Sequence, residues 1–184
     1  MKIFLAKASN WKLILPAFLV SAYCIYLFQT YQADMGAMIG EETLIIDMRS
    51  GYTEPEISEF FTQLKEEGRS LHHYVTGVVD MIFPIGYGLL FILFSAYFLK
   101  KITSPESNWM YLSLIPLLLI LVDYKENFNT LEMLSAFPNL TAEMVSSAAK
   151  VTSIKAMLVN VSMGLPLFLA IVWTVKWMYN RGKP

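Results

Sequence analysis

The 184-residue chain is 55% hydrophobic and only 16% charged, with a mean hydropathy of +0.48 and a formal net charge of −1. That charged fraction is well below the roughly 25% of an ordinary soluble domain, and with no basic patch or stripe the sequence excludes nucleic acid as a partner. The single cysteine, Cys24, excludes an intrachain disulfide and a thiolate zinc cluster, and is read as a packing residue.

Four apolar runs lie at about 11–31, 74–99, 109–127 and 151–178. Each approaches or exceeds the ~20 residues that carry a helix across ~30 Å of hydrocarbon. None alternates as a barrel strand does, so helices are expected. The predicted fold is all-α: a single domain over 1–184, a four-helix transmembrane bundle with an amphipathic helix on the outer side. Trp11, Tyr31, Tyr74, Trp109, Trp173, Trp177 and Tyr179 stand near run ends, where aromatic belts form.

The first run follows Lys2, Lys7 and Lys12 and resembles a signal peptide. Cleavage is not expected, because no A-x-A site follows and the apolar stretch continues through Phe28. The loop at 32–73 carries nine acids against Arg49, Lys65 and Arg69, and the loop at 128–149 carries Glu132 and Glu143 without a Lys or Arg. Lysines and arginines gather at the opposite ends: Lys2, Lys7, Lys12, Lys100, Lys101, Lys176, Arg181 and Lys183. Both termini are therefore expected on the cytoplasmic side. Within the outer loop, residues 42–52 read as a short extended segment. Residues 52–68 read as a helix, with Thr53 and Glu56 as a capping box and Ile57, Phe60, Phe61 and Leu64 on one face. Gly68 is its expected C-cap.

In this topology polar groups from three runs reach one depth. Asp80 lies about 9 Å below Tyr74 along the second helix. Asp123, Glu126 and Asn127 share one face near the outer end of the third, at spacings of three and four. Lys155 lies in the outer half of the fourth. On the second helix His73, Thr76, Asp80, Pro84 and Tyr87 form a stripe. Thr152, Lys155 and Ser162 form another on the fourth. Charges in a bilayer cost about 2.5–3.5 kcal/mol each on insertion scales, so these side chains should face inward. The candidate polar cluster is Arg69, His73, Tyr74, Asp80, Tyr87, Asp123, Glu126, Asn127 and Lys155. One histidine with Asp80, Asp123 and Glu126 has donors enough for zinc, yet the spacing matches no metal motif. No metal or other cofactor is expected.

The strings "GYT" (51–53), "EEGRSLHHYVTGVVDMIFPIGY" (66–87), "DYKEN" (123–127) and "TSIK" (152–155) follow a pattern. It runs G-R, then Tyr, then Asp, Pro and Tyr, followed by D-x-x-E-N and T-x-x-K. In this the chain resembles a family of uncharacterised four-pass bacterial integral membrane proteins, over roughly 50–160. The resemblance implies a four-helix membrane domain and implies no activity. The expected location is the bacterial plasma (inner) membrane.

The first functional reading is a binding protein, with an acidic cavity near the outer leaflet for a lipid headgroup, a small cation or a partner helix. An intramembrane enzyme acting on a lipid by carboxylate acid/base chemistry is the alternative, as is a small proton-coupled carrier, with a homodimer left open. The plain reading is that Asp80 and Glu126 pair with Lys155 and Arg69 and only hold helices in register.

Overall fold

The structure is a computed structural model that describes residues 1–39 and 51–181. The extended segment expected at 42–52 therefore lies, apart from Gly51 and Tyr52, outside the described residues. Every regular element among them is helical. In chain order they are α1 (Lys2–Ala8), α2 (Trp11–Ile39), α3 (Glu54–Gln63) and α4 (Lys65–Tyr74). A π-helical turn (Val75–Val79) leads into α5 (Asp80–Ile102). A 3₁₀ helix (Asn108–Leu114), α6 (Pro116–Ala136) and α7 (Ala142–Arg181) complete the chain.

Three helices are long and apolar enough to cross a membrane: Trp11–Ile39, the continuous Lys65–Ile102, and Ala142–Arg181. The expected boundaries shift accordingly, and the second begins at Lys65 rather than 74 because α4 runs straight into α5. The third run is displaced. Its first residues form the 3₁₀ helix, and α6 continues beyond 127 to Ala136. Asp123, Lys125, Glu126 and Glu132 interrupt its apolarity, so composition alone does not mark α6 as a span.

α6 and α7 form a hairpin that packs on α5, and α2 packs mainly on the other flank of α5. Two small residues of α5 permit these approaches. A Cβ on Gly86 would stand 3.0 Å from Ser21 Oγ, and one on Gly88 would overlap the Ile120 side chain. Gly164, by contrast, has open space where a Cβ would sit, so it serves no close helix contact.

Two apolar clusters fill the interior. At the acidic end α3 lays Ile57, Phe60, Phe61 and Leu64 against Tyr31, Met35, Val75, Met133, Val145 and Ala148. The Glu56 carboxylate accepts from the Thr53 backbone N–H (2.6 Å) and hydroxyl (2.8 Å), fixing the start of α3. Burial of that face, at about 1.5–3 kcal/mol per large apolar side chain, makes α3 an integral part of the core. Gly68 does not end the helix as expected. The chain turns at Lys65, which takes φ 56°, and Gly68 lies buried inside α4 against Leu64. Tyr31 is likewise no belt residue, being 4% exposed.

At the lysine-rich end Leu5, Ala6, Ile92, Ala96, Leu99, Met110, Ile120 and Leu169 form the second cluster. Lys100 Nζ donates to the carbonyls of Ala6 (3.0 Å) and Ser9 (2.5 Å), satisfying the open C-terminus of α1. Lys176 Nζ donates to the Ile102 carbonyl at the end of α5 (2.6 Å).

Candidate functional site

Between the two apolar clusters lies a polar layer. α6 supplies most of it, because its pattern is inverted relative to a soluble helix. Asp123, Glu126, Asn127 and Thr130 are fully buried, whereas Leu117, Leu118, Leu121 and Phe128 are exposed. Spacings of three and four place the buried four on one face. Lys125 points to the other side and is exposed.

Lys155 of α7 reaches into this face. Its ammonium lies 2.9 Å from Asp123 Oδ1 and also pairs with Glu126 Oε2. Tyr87 of α5 donates its hydroxyl to Asp123 Oδ2. One lysine thus joins two carboxylates a helical turn apart, and one carboxylate joins α5, α6 and α7.

Asn127 does different work. Its Nδ2 donates to the Asp80 carbonyl at 2.7 Å. That carbonyl is the one that Pro84, four residues on and lacking an N–H, leaves without its helical donor. Tyr124 makes a similar stitch, donating to the Met81 carbonyl at 2.9 Å. Asp80 itself is buried in the same layer. Asn127 Oδ1 and Thr130 Oγ1 are buried with no hydrogen-bond partner among the described residues, so the layer is not closed on itself.

Three of the expected cluster members lie elsewhere. His73 and Tyr74 are exposed, Tyr74 at 58%. The cause is the π-helical turn, whose i→i+5 bonding advances the helix face by about one residue. The stripe through Thr76, Asp80, Pro84 and Tyr87 therefore extends upward to His72, which is completely buried. His72 Nδ1 lies 2.5 Å from Tyr31 Oη, and the rings of Phe60 and Phe61 meet its edge. Arg69 does not pair with the acids. Its Nη1 donates to the Phe61 carbonyl in the last turn of α3 (2.8 Å), and its guanidinium lies 4.8 Å from the Phe137 ring centroid. Among the described residues no three His, Cys, Asp or Glu side chains are disposed to share a metal ion.

The His72–Tyr31 pair was missed by sequence reasoning, although a signal existed: Leu64, Gly68 and His72 continue one buried stripe at steps of four. The other feature missed is a cleft of about 350 Å³ beside the polar layer. Its walls are Phe18, Ser21, Ala22 and Ile25 of α2, Phe83, Leu90 and Phe91 of α5, and Val159 of α7, with Tyr87, Asp123 and Lys155 at its floor. Along α5 the rings of Phe83, Tyr87 and Phe91 form a ladder with centroids 4.7 and 5.8 Å apart. Phe18 and Ile25 are themselves about half exposed, so the cleft opens on the apolar flank of the bundle. Such a site can hold an apolar body, with the carboxylate, phenol and ammonium just behind its wall directed at one another.

The chain matches no protein-family model, no curated protein and no solved structure.

Proposed function

We propose that this is an integral membrane protein that crosses the bilayer four times, with both termini cytoplasmic, and binds a lipid from the side. The observation that carries the reading is the cleft: apolar walls open to the flank, and a floor of Tyr87, Asp123 and Lys155. A water-soluble ligand would have no use for such walls. A lipid already dissolved in the bilayer reaches them without leaving hydrocarbon.

The fourth crossing is α6. Its exposed leucines suit lipid, and its charged residues at 123 and 126 are buried against α5 and α7. Orientation follows from the lysines that gather at one end of the bundle. A bacterial inner membrane fits the sequence resemblance to four-pass bacterial proteins. Cysteine accessibility tests the topology in a Cys24→Ser background. Ser146→Cys should react with an impermeant maleimide in intact cells, and Lys7→Cys only after permeabilisation; the reverse pattern overturns the orientation.

Photo-crosslinking tests the binding. A diazirine-tailed lipid in vesicles containing the full chain should label the peptides around Phe18–Ile25 and Leu90–Phe91 saturably. Ala22→Trp, which fills the opening without touching the interior, should abolish that label. Unsaturable labelling, equal in wild type and Ala22→Trp, would refute a lipid site.

An enzyme acting on a lipid is the second reading, and one observation favours it. Two carboxylates share a single ammonium directly beside the cleft, an arrangement suited to moving a proton. A conversion product that forms with wild type and not with Asp123→Asn would establish it. The carrier reading has less support, because the interior beyond Tyr87 is the apolar cluster around Ile92, Ala96 and Leu99.

A further inference from the structure

A second space lies away from the cleft, at the mouth of the α6–α7 hairpin. It encloses about 300 Å³ and, unlike the cleft, has a mostly polar lining. Lys125, Asn129 and Glu132 reach it from one face of α6, at steps of four and three. Glu143 and Ser147 reach it from one face of α7, a step of four apart. Thr141 completes the wall, its hydroxyl already accepting from the Met144 N–H at the start of α7 (3.2 Å). Glu132 and Glu143 are the two acids of the loop at 128–149, and the polar layer uses neither.

Two observations point to a ligand. Asn129 is 6% exposed, and its Nδ2 is sealed from solvent with no partner among the described residues. Its side chain makes no other hydrogen bond, so the part of the amide left open to the space is Oδ1, an acceptor. Neither glutamate, moreover, is ion-paired with Lys125 or with any other described residue, although all three line one space. Two carboxylates and an amide oxygen thus face a single ammonium, and the excess charge is negative.

That set suits a hard cation. An anion would meet two carboxylates, and an apolar body would meet a polar wall. Calcium takes about six to eight oxygens from carboxylates, amide carbonyls and water in loose geometry. Magnesium asks for a near-ideal octahedron, which two exposed glutamates on different helices do not enforce. The space is wide enough for an ion that keeps part of its water. Only two carboxylates are needed, because the amide oxygen and water supply the rest.

We propose that Glu132, Glu143 and Oδ1 of Asn129 bind a calcium ion, which clamps the end of α6 to the start of α7. The site stands apart from the lipid-binding reading, and neither depends on the other. Lys125 lowers the affinity by repulsion and sets it in the weak range, about 0.1–1 mM.

Equilibrium dialysis of the full chain in non-ionic detergent against radioactive calcium tests this. One saturable ion per chain is expected, half-saturated at about 0.1–1 mM. Combining Glu132→Gln with Glu143→Gln should weaken binding at least about tenfold. Both side chains are exposed, so the fold tolerates the change. Lys125→Met should act the other way and tighten binding about threefold to tenfold, a gain that misfolding does not produce. No saturable uptake at concentrations about tenfold above that range overturns the site. So does uptake unchanged in the double variant, or an affinity that ignores Lys125→Met. Uptake that is lost in Asp123→Asn and kept in the double variant overturns it too, by placing the ion in the polar layer. Equal affinity for magnesium overturns the choice of calcium.

Discussion

The two halves of the bundle hold together by different means. The half toward the lysine-rich end is dry: Ala96, Met110, Leu99 and Ile120 interlock, with Gly88 making room, and the lysines serve backbone carbonyls at its rim. The half toward the acidic end is stitched by side chains: Tyr31 to His72, Tyr52 to Thr152, Arg69 to the Phe61 carbonyl, and Lys155 to two acids. Dry packing makes a stiff base that accepts no change of volume. Polar stitching ties distant segments together at fixed points and leaves space between them, and the cleft opens beside those stitches.

Substitutions can break this contrast in graded fashion. The largest effect is expected for Lys155→Met, which takes the shared ammonium from Asp123 and Glu126. Breaking a buried ion pair by removing one partner costs about 3–5 kcal/mol, read as a lowered unfolding midpoint in detergent. Adding Asp123→Asn and Glu126→Gln should recover part of the loss. Wild-type stability in the single variant would mean that the ammonium holds nothing together.

Next comes the dry half. Gly88→Val drives a side chain into Ile120, and overpacking of this kind costs about 1–3 kcal/mol. Ile120→Ala should relieve it in the same unfolding assay. Failure of that rescue would show that the contact is not the cause.

A smaller effect sharpens the account of the stitches. Asn127→Ala should cost about 1–2 kcal/mol by abandoning the Asp80 carbonyl. In a Pro84→Ala background residue 84 supplies its own N–H to that carbonyl, so the same change should cost less. An additive double-mutant cycle would break the proposed link between proline and asparagine. The smallest effect belongs to Lys125→Ala, expected within about 0.5 kcal/mol because the side chain faces outward.

How much of this was legible in the sequence depends on whether local periodicity survives folding. The buried face of α6 was legible because an uninterrupted helix keeps steps of three and four, so Asp123, Glu126 and Asn127 fell together. The apolar face of α3 was legible for the same reason. Pro84 announced a freed carbonyl, though not that Asn127 would fill it. Regular spacing from Asp80 points to His73, while the steps of four from Leu64 point to His72; nothing local marks the π-helical turn that decides between them. Arg69 shows in sequence only a charge that matches the acids; the open carbonyl at the end of α3 that it meets carries no mark of its own. The cleft was not legible at all. It is a gap between α2 and α7, set by how each leans on α5, and one chain's pattern of apolar residues does not encode where two helices fail to meet.

The wide turn at Val75–Val79 has a consequence for how this chain tolerates change in length. It takes up one extra residue between two rotors: the cap above, keyed by His72, and the acid layer below, keyed by Asp80 and Tyr87. Deleting a single residue there would restore regular winding and leave the two rotors close to their present phase, because five residues of the wide turn and four of a regular helix both sweep roughly 400°. The same deletion in the regular helix just beyond the turn would swing one rotor against the other by about 100° and pull His72 from its niche beneath Phe60 and Phe61. Loss of one amino acid is therefore a milder injury at this turn than in the regular winding beside it.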